Sequence, residues 1–192
     1  MYPREIEDLI FEMQKLPGVG LKTAERFAFT ILNLSKEDRD HFSKTIKDLD
    51  HIKHCKVCGN LTDHEICSIC ENQNRDHNMI CVVSQPKDIL TLENMNSYDG
   101  VYHVLNGLIN TSKGILPDQL DIENLLKRIT PETEEVILAL DPTVEGETTA
   151  LYLQKLLENH VKVSKLASGI PMGAHLDYTD SKTLSRAFEG RK

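Results

Sequence analysis

The chain has 192 residues, with 22 Lys and Arg against 30 Asp and Glu and a formal net charge of −8. At 40% hydrophobic and 27% charged it has the composition of a globular protein rather than a disordered one, and no apolar run approaches the ~20 residues that span a bilayer. The acidic balance excludes coating of nucleic acid by bulk electrostatics, so any DNA contact needs a local basic face. Residues 1–54 hold nine basic and ten acidic side chains and residues 81–192 eleven and sixteen, which makes the N-terminal part the better place for a phosphate site. No apolar leader opens the sequence, so a cytoplasmic location without membrane contact is expected.

In chain order, Ile6, Leu9, Ile10 and Met13 recur at helical spacing as far as Leu16. Pro17-Gly18-Val19-Gly20 breaks that helix, because proline lacks an amide donor and glycine accepts positive φ. A second helix resumes near Lys22, with Ala24, Phe27, Ala28 and Ile31 on one face. Ser35-Lys36-Glu37-Asp38 has the capping-box pattern and predicts a third helix with Phe42, Ile46 and Leu49 inward. Residues 1–54 thus read as a small all-α unit.

Residues 55–76 hold four cysteines and few large apolar side chains. From Met79 onward, strand patterns at Ile80–Ser84, Val101–Leu105, Val136–Leu140 and Val161–Leu166 alternate with helical patterns around Asp88–Met95, Ile122–Ile129 and Thr148–Glu158. This alternation predicts a mostly parallel sheet flanked by helices, with Asn106–Asp121 as the longest irregular connection and a candidate functional loop. The chain is therefore expected to be multidomain α+β, in segments 1–54, 55–76, 77–167 and 168–192.

Cys55-x2-Cys58 and Cys67-x2-Cys70 are eight residues apart. Each pair aims two sulfurs at one ion, and two pairs complete the closed tetrahedral set of a structural zinc site. Two disulfides are the competing reading, disfavoured without an export signal, and a redox pair needs only one Cys-x2-Cys. His54 and His64 lie close enough in sequence to replace a ligand. Cys81 falls in an apolar strand and is expected in the core.

The Gly18–Gly20 turn directs backbone amides outward beside a helix N-terminus, an arrangement that suits a phosphate oxygen. Lys22 and Arg26, four residues apart, share a helix face next to it. Such contacts reach the sugar-phosphate backbone and carry no base information. A plain helical hairpin is the bland alternative. The string Leu16-Pro17-Gly18-Val19-Gly20-Leu21-Lys22-Thr23-Ala24 resembles the helix-hairpin-helix DNA-binding motif, and the Walker A spacing is absent.

Three features stand in one order: this hairpin, the four-cysteine cluster and the α/β segment. Together with the strings from Cys67 to Val83, Pro142 to Leu153 and Leu176 to Arg191, they resemble the RecR family of bacterial recombination mediators over essentially the whole chain. The resemblance implies a helix-hairpin-helix, a four-cysteine zinc finger and a Toprim-like domain in a non-enzymatic protein. It implies homo-dimers or ring-like homo-tetramers that surround DNA and act with RecO, and in some lineages RecF, to load RecA on single strands. It carries DNA contact to Lys22 and Arg26, zinc ligation to Cys55, Cys58, Cys67 and Cys70, and RecO contact to Glu145 and Glu147.

Catalytic Toprim domains place a Glu after the first strand and Asp-x-Asp after the third, to hold Mg2+. Here the first position reads Ser84-Gln85 and the second Asp141-Pro142-Thr143, so one acid stands where three are needed and no catalytic residue is expected. Asp141, Glu145 and Glu147 read either as a weak Mg2+ site or as a solvated acidic helix start. His103 and His175 are expected to serve packing or surface polarity. The alternatives to a mediator are a Mg2+-dependent Toprim nuclease or primase-like enzyme, and a zinc-stabilised interaction module without DNA binding.

Overall fold

The structure, a computed structural model, describes residues 2–167 and 169–191. Met1, Ser168 and Lys192, which bound the expected segments 1–54 and 168–192, lie outside the described residues. The chain divides into two compact units, Met1–His51 and Ile52–Lys192.

The first unit holds α1 (Arg4–Gln14), α2 (Leu21–Leu32) and α3 (Lys36–Asp48), followed by a 3-10 turn at Leu49–His51. Ile10 packs against Ala24 and Ala28, ringed by Ile6, Leu9, Met13 and Val19. The two alanines, one helical turn apart, leave room for the helices to approach. The Ser35 hydroxyl accepts from the Asp38 amide at 3.0 Å and donates to the Asp38 carboxylate at 2.8 Å, so α3 starts where its cap requires.

The expected inner face of α3 is not inner. Phe42, Ile46 and Leu49 are 44%, 52% and 62% exposed, and α3 buries none of its residues. The expected stripe on α2 is also narrower, with Phe27 exposed and only Ala24 and Ala28 buried. Periodicity marks an apolar face but does not say whether this chain covers it.

The second unit opens with a two-stranded antiparallel ribbon, β1 (Lys53–His54) and β2 (Leu61–Thr62), and the one-turn α4 (Ser68–Glu71). Then follow β3 (Asp76–Val83), α5 (Pro86–Glu93), β4 (Gly100–Val104), α6 (Ile122–Arg128), β5 (Glu135–Ala139), α7 (Val144–Leu157), β6 (Lys162–Lys165) and α8 (Ser181–Glu189). The four longer strands form one parallel sheet in the order β4-β3-β5-β6. All four expected strands are present. The three expected helices are present too, although α7 begins at Val144 rather than near Thr148 because the Thr143 hydroxyl accepts from the Gly146 amide at 3.1 Å. Helix α8 was not expected, although Asp180 caps it by accepting from the Lys182 and Thr183 amides, both at 3.0 Å.

Strand alternation divides the core into two layers. Ile80, Val82, Val101, Val136 and Leu138 face α6 and α7, packing on Leu125, Leu153 and Leu157. Cys81, Val83, Tyr102 and Val104 face the other way, onto Ile89 of α5 and Ile69 of α4. Cys81 is the core residue expected of it, and burial pushes its thiol up to about 12. The Asn106–Asp121 connection is ordered by two 3-10 turns, at Thr111–Lys113 and Pro117–Gln119, and an Asn110–Ile115 bridge.

His103 is fully buried, as packing rather than surface polarity. Its Nε2 donates to the Asp121 carbonyl at 2.7 Å and its Nδ1 accepts from Arg128 at 3.2 Å, an arrangement that requires the neutral ring. Burial lowers its pKa to about 4. The unfolded chain therefore binds more protons between the ordinary histidine value and this one. The resulting stability is complete above about pH 6.5 and is lost as pH falls through that window, a change on the order of 3 kcal/mol. Denaturant melts from pH 7 to pH 4 check this: His103→Phe is expected to flatten the loss, and an unchanged pH slope would refute the assignment.

Candidate functional site: zinc knuckle, helical hairpin and sheet edge

Cys55, Cys58, Cys67 and Cys70 bring their sulfurs within 4.8 Å of one another. The β1–β2 ribbon places the first pair and the start of α4 the second. Gly59, at φ +75°, turns the chain out of the first pair, and a Cβ there would lie 3.1 Å from the Val104 carbonyl oxygen. The Cys67 amide points at the Cys55 sulfur at 3.3 Å, and the Cys58 and Cys67 sulfurs are 3.6 Å apart. Four buried or half-buried sulfurs around one point fit Zn2+ and leave no ligand position for substrate, so the site is structural. The Cys58 carbonyl accepts from the Val104 amide at 2.8 Å, joining the knuckle to the edge strand β4.

The two nearby histidines are not ligands. His54 directs Nδ1 to the Gly59 carbonyl at 2.9 Å, and exposed His64 lies 3.6 Å from Asp63.

In the hairpin, Gly18 has φ +79°, a conformation costly for any other residue. Gly20 is the N-cap of α2 at φ −81°, and a Cβ on it would meet nothing within 4 Å. Neither strain nor packing among the described residues demands glycine at position 20. The first turn of α2 carries no acidic side chain. Lys22 and Arg26 are exposed and make no ion pair among the described residues, and the Arg26 guanidinium lies 5.7 Å from the Phe27 ring centre.

At the carboxyl end of the sheet the acidic residues diverge. Ser84 is buried and donates to the Asp88 carboxylate at 2.8 Å, which also accepts from the Gln85 amide. Glu145 accepts from the Asn110 side chain at 3.1 Å. Glu147 pairs with Lys165 and with Arg186 of α8, each at 3.2 Å, and these cations hold its carboxyl below the usual range. Two residues apart on a helix, Glu145 and Glu147 face different sides. Among the described residues the four cysteines are the only close group of metal-ligating side chains, so the weak Mg2+ reading of Asp141, Glu145 and Glu147 finds no shared geometry. A cavity of about 850 Å3 beside Glu147 is lined by Leu138, Leu140 and Ala150 and by Lys182 and Arg186.

Sequence reading missed the partners of Glu145 and Glu147, because Asn110, Lys165 and Arg186 lie 35, 18 and 39 positions away and only the topology joins them. It also missed an outward apolar stripe on α7. Its spacing was legible, but a stripe facing solvent and one facing the core look alike in sequence.

Helical hairpin, four-cysteine knuckle and parallel α/β sheet together define a zinc-finger protein built on a Toprim-type domain. Residues 6–49 match the family described as RecR, helix-hairpin-helix, residues 52–72 the RecR four-cysteine zinc finger domain, residues 78–167 the Toprim domain, and residues 169–192 the RecR C-terminal region. The chain belongs to the RecR family, and its domains support a role as a recombination mediator. No described helix is long and apolar enough to cross a membrane.

Proposed function

We propose that this protein is a non-enzymatic mediator of DNA recombination and repair. It grips DNA of any sequence through the Gly18–Gly20 turn, Lys22 and Arg26. It contacts RecO at its Toprim domain through Glu145 and Glu147, with RecF as a further partner, and assists RecA loading onto single strands. The observation that carries the reading is Gly20, a glycine with an ordinary φ and open space at its Cβ, beside two cations that make no ion pair among the described residues. Glycine is a favoured N-cap in its own right, and at this one it also leaves the backbone amides open to a polymer that must come close.

The exposed apolar face of α3 supports self-association as dimers or ring-like tetramers, in which several hairpins would act together on one DNA. The same avidity offsets the net charge of −8. The donor set at the carboxyl end of the sheet supports binding without chemistry, since Asp88 is engaged by Ser84 and Gln85, Glu145 by Asn110, and Glu147 by two cations.

The test uses purified zinc-loaded protein. Incubated with Mg2+ and oligonucleotides it is expected to leave strand lengths unchanged, whereas Mg2+-dependent cleavage or joining that Asp141→Ala abolishes would establish the enzyme reading instead. Glu145→Lys is expected to weaken RecO binding about tenfold with zinc content unchanged. Retained affinity would remove the assignment.

A further inference from the structure

We infer that the outward stripe of α7, Val144, Leu151 and Tyr152, is the docking surface for a basic amphipathic segment of the partner protein. The inference rests on the partner reading above and says what that contact is made of.

Helix α7 already has a complete core face in Gly146, Thr149, Ala150, Leu153 and Leu157. Val144, Leu151 and Tyr152 are additional. They are 76%, 59% and 41% exposed, and their spacing of seven and eight residues places them along the opposite side of the helix. No packing within the described chain accounts for three large apolar side chains there. Tyr152 adds a residue type enriched at interfaces relative to the rest of the surface.

The rim says what chemistry fits. By helical spacing Glu145 and Glu158 flank the stripe on the outward side of α7 and make no ion pair among the described residues, against one such cation, Lys155. Glu147 adds little, because Lys165 and Arg186 already neutralise it. A segment with aliphatic anchors flanked by Lys or Arg complements this surface in both respects. A second copy of this chain, meeting the stripe through the same face in a two-fold contact, would oppose like-charged rims and does not. Of the two carboxylates assigned to partner contact, Glu145 meets only the neutral Asn110 amide, on one oxygen, and so keeps its charge for an incoming cation.

The test measures RecO binding to the full zinc-loaded chain by calorimetry at low and high salt, with far-UV dichroism and zinc content as fold controls. Leu151→Ser and Val144→Ser are each expected to raise Kd about tenfold, and to do so equally at both salt concentrations because the lost contact is apolar. The loss from Glu145→Lys is expected to shrink at high salt. Val144 stands at the exposed first position of α7, so its variant keeps the test valid if Leu151→Ser misfolds. Wild-type affinity in both apolar variants, with Glu145→Lys impaired, would overturn the inference and leave the partner reading standing. Wild-type affinity in all three would overturn both. Altered sedimentation of the apolar variants with RecO affinity intact would assign the stripe to self-association and overturn the inference as well.

Discussion

Stripping zinc from the folded protein is expected to unfold the knuckle and to loosen the edge of the sheet. The segment around Cys55–Cys70 buries little besides its sulfurs, with Val57, Ile66 and Ile69 only partly covered. Structural zinc supplies on the order of 10 kcal/mol in modules of this kind, more than such a core can replace. The consequence extends beyond the four ligands because the Cys58 carbonyl holds the Val104 amide of β4. Hydrogen exchange at Val104 is therefore expected to accelerate on chelation, together with a loss of far-UV signal from the β1–β2 ribbon and α4. Cys58→Ser is expected to reproduce both changes without chelator. An unchanged exchange pattern and spectrum after complete removal of zinc would refute the structural role.

The second large effect concerns the hairpin. Lys22→Ala combined with Arg26→Ala is expected to lower DNA affinity about 10- to 100-fold at low salt, with the same loss for unrelated sequences. Each phosphate contact removed takes roughly 0.9 from the slope of log K against log salt on duplex and about 0.7 on single strands, so two contacts give a clear flattening. Loss of affinity by the same factor at every salt concentration would mean that the two cations do not meet phosphates. Both side chains are exposed and without ion pairs among the described residues, so the double variant is expected to keep its fold and separate binding from stability.

These expectations differ in how far they were legible. The zinc ligands were readable because Cys-x2-Cys is a local geometry in which spacing alone aims both sulfurs, and the structure gathers all four. The four strands were readable because each is a short β-branched run, and the parallel pairing followed from the helices between them. The hairpin was readable because Pro17 and Gly18 end one helix and the α2 register follows. Helix α8 was missed although its Asp180 cap is local and Leu184, Ala187 and Phe188 recur at helical spacing.

What composition and spacing determined unaided is local: the breaks, caps, strand runs and sulfur pairs, each set by contacts within a few residues. Only the tertiary structure decided which apolar faces are covered and which charges are already engaged. Phe42, Ile46 and Leu49 have the spacing of a core stripe and lie exposed, as do Val144, Leu151 and Tyr152. Glu145 and Glu147 look equivalent in sequence, yet one meets a neutral amide from Asn110 and the other two cations from β6 and α8. The physical reason is range: a hydrogen bond within a turn is specified by its neighbours, whereas burial and ion pairing depend on what the chain brings from far away, or leaves for another molecule to bring.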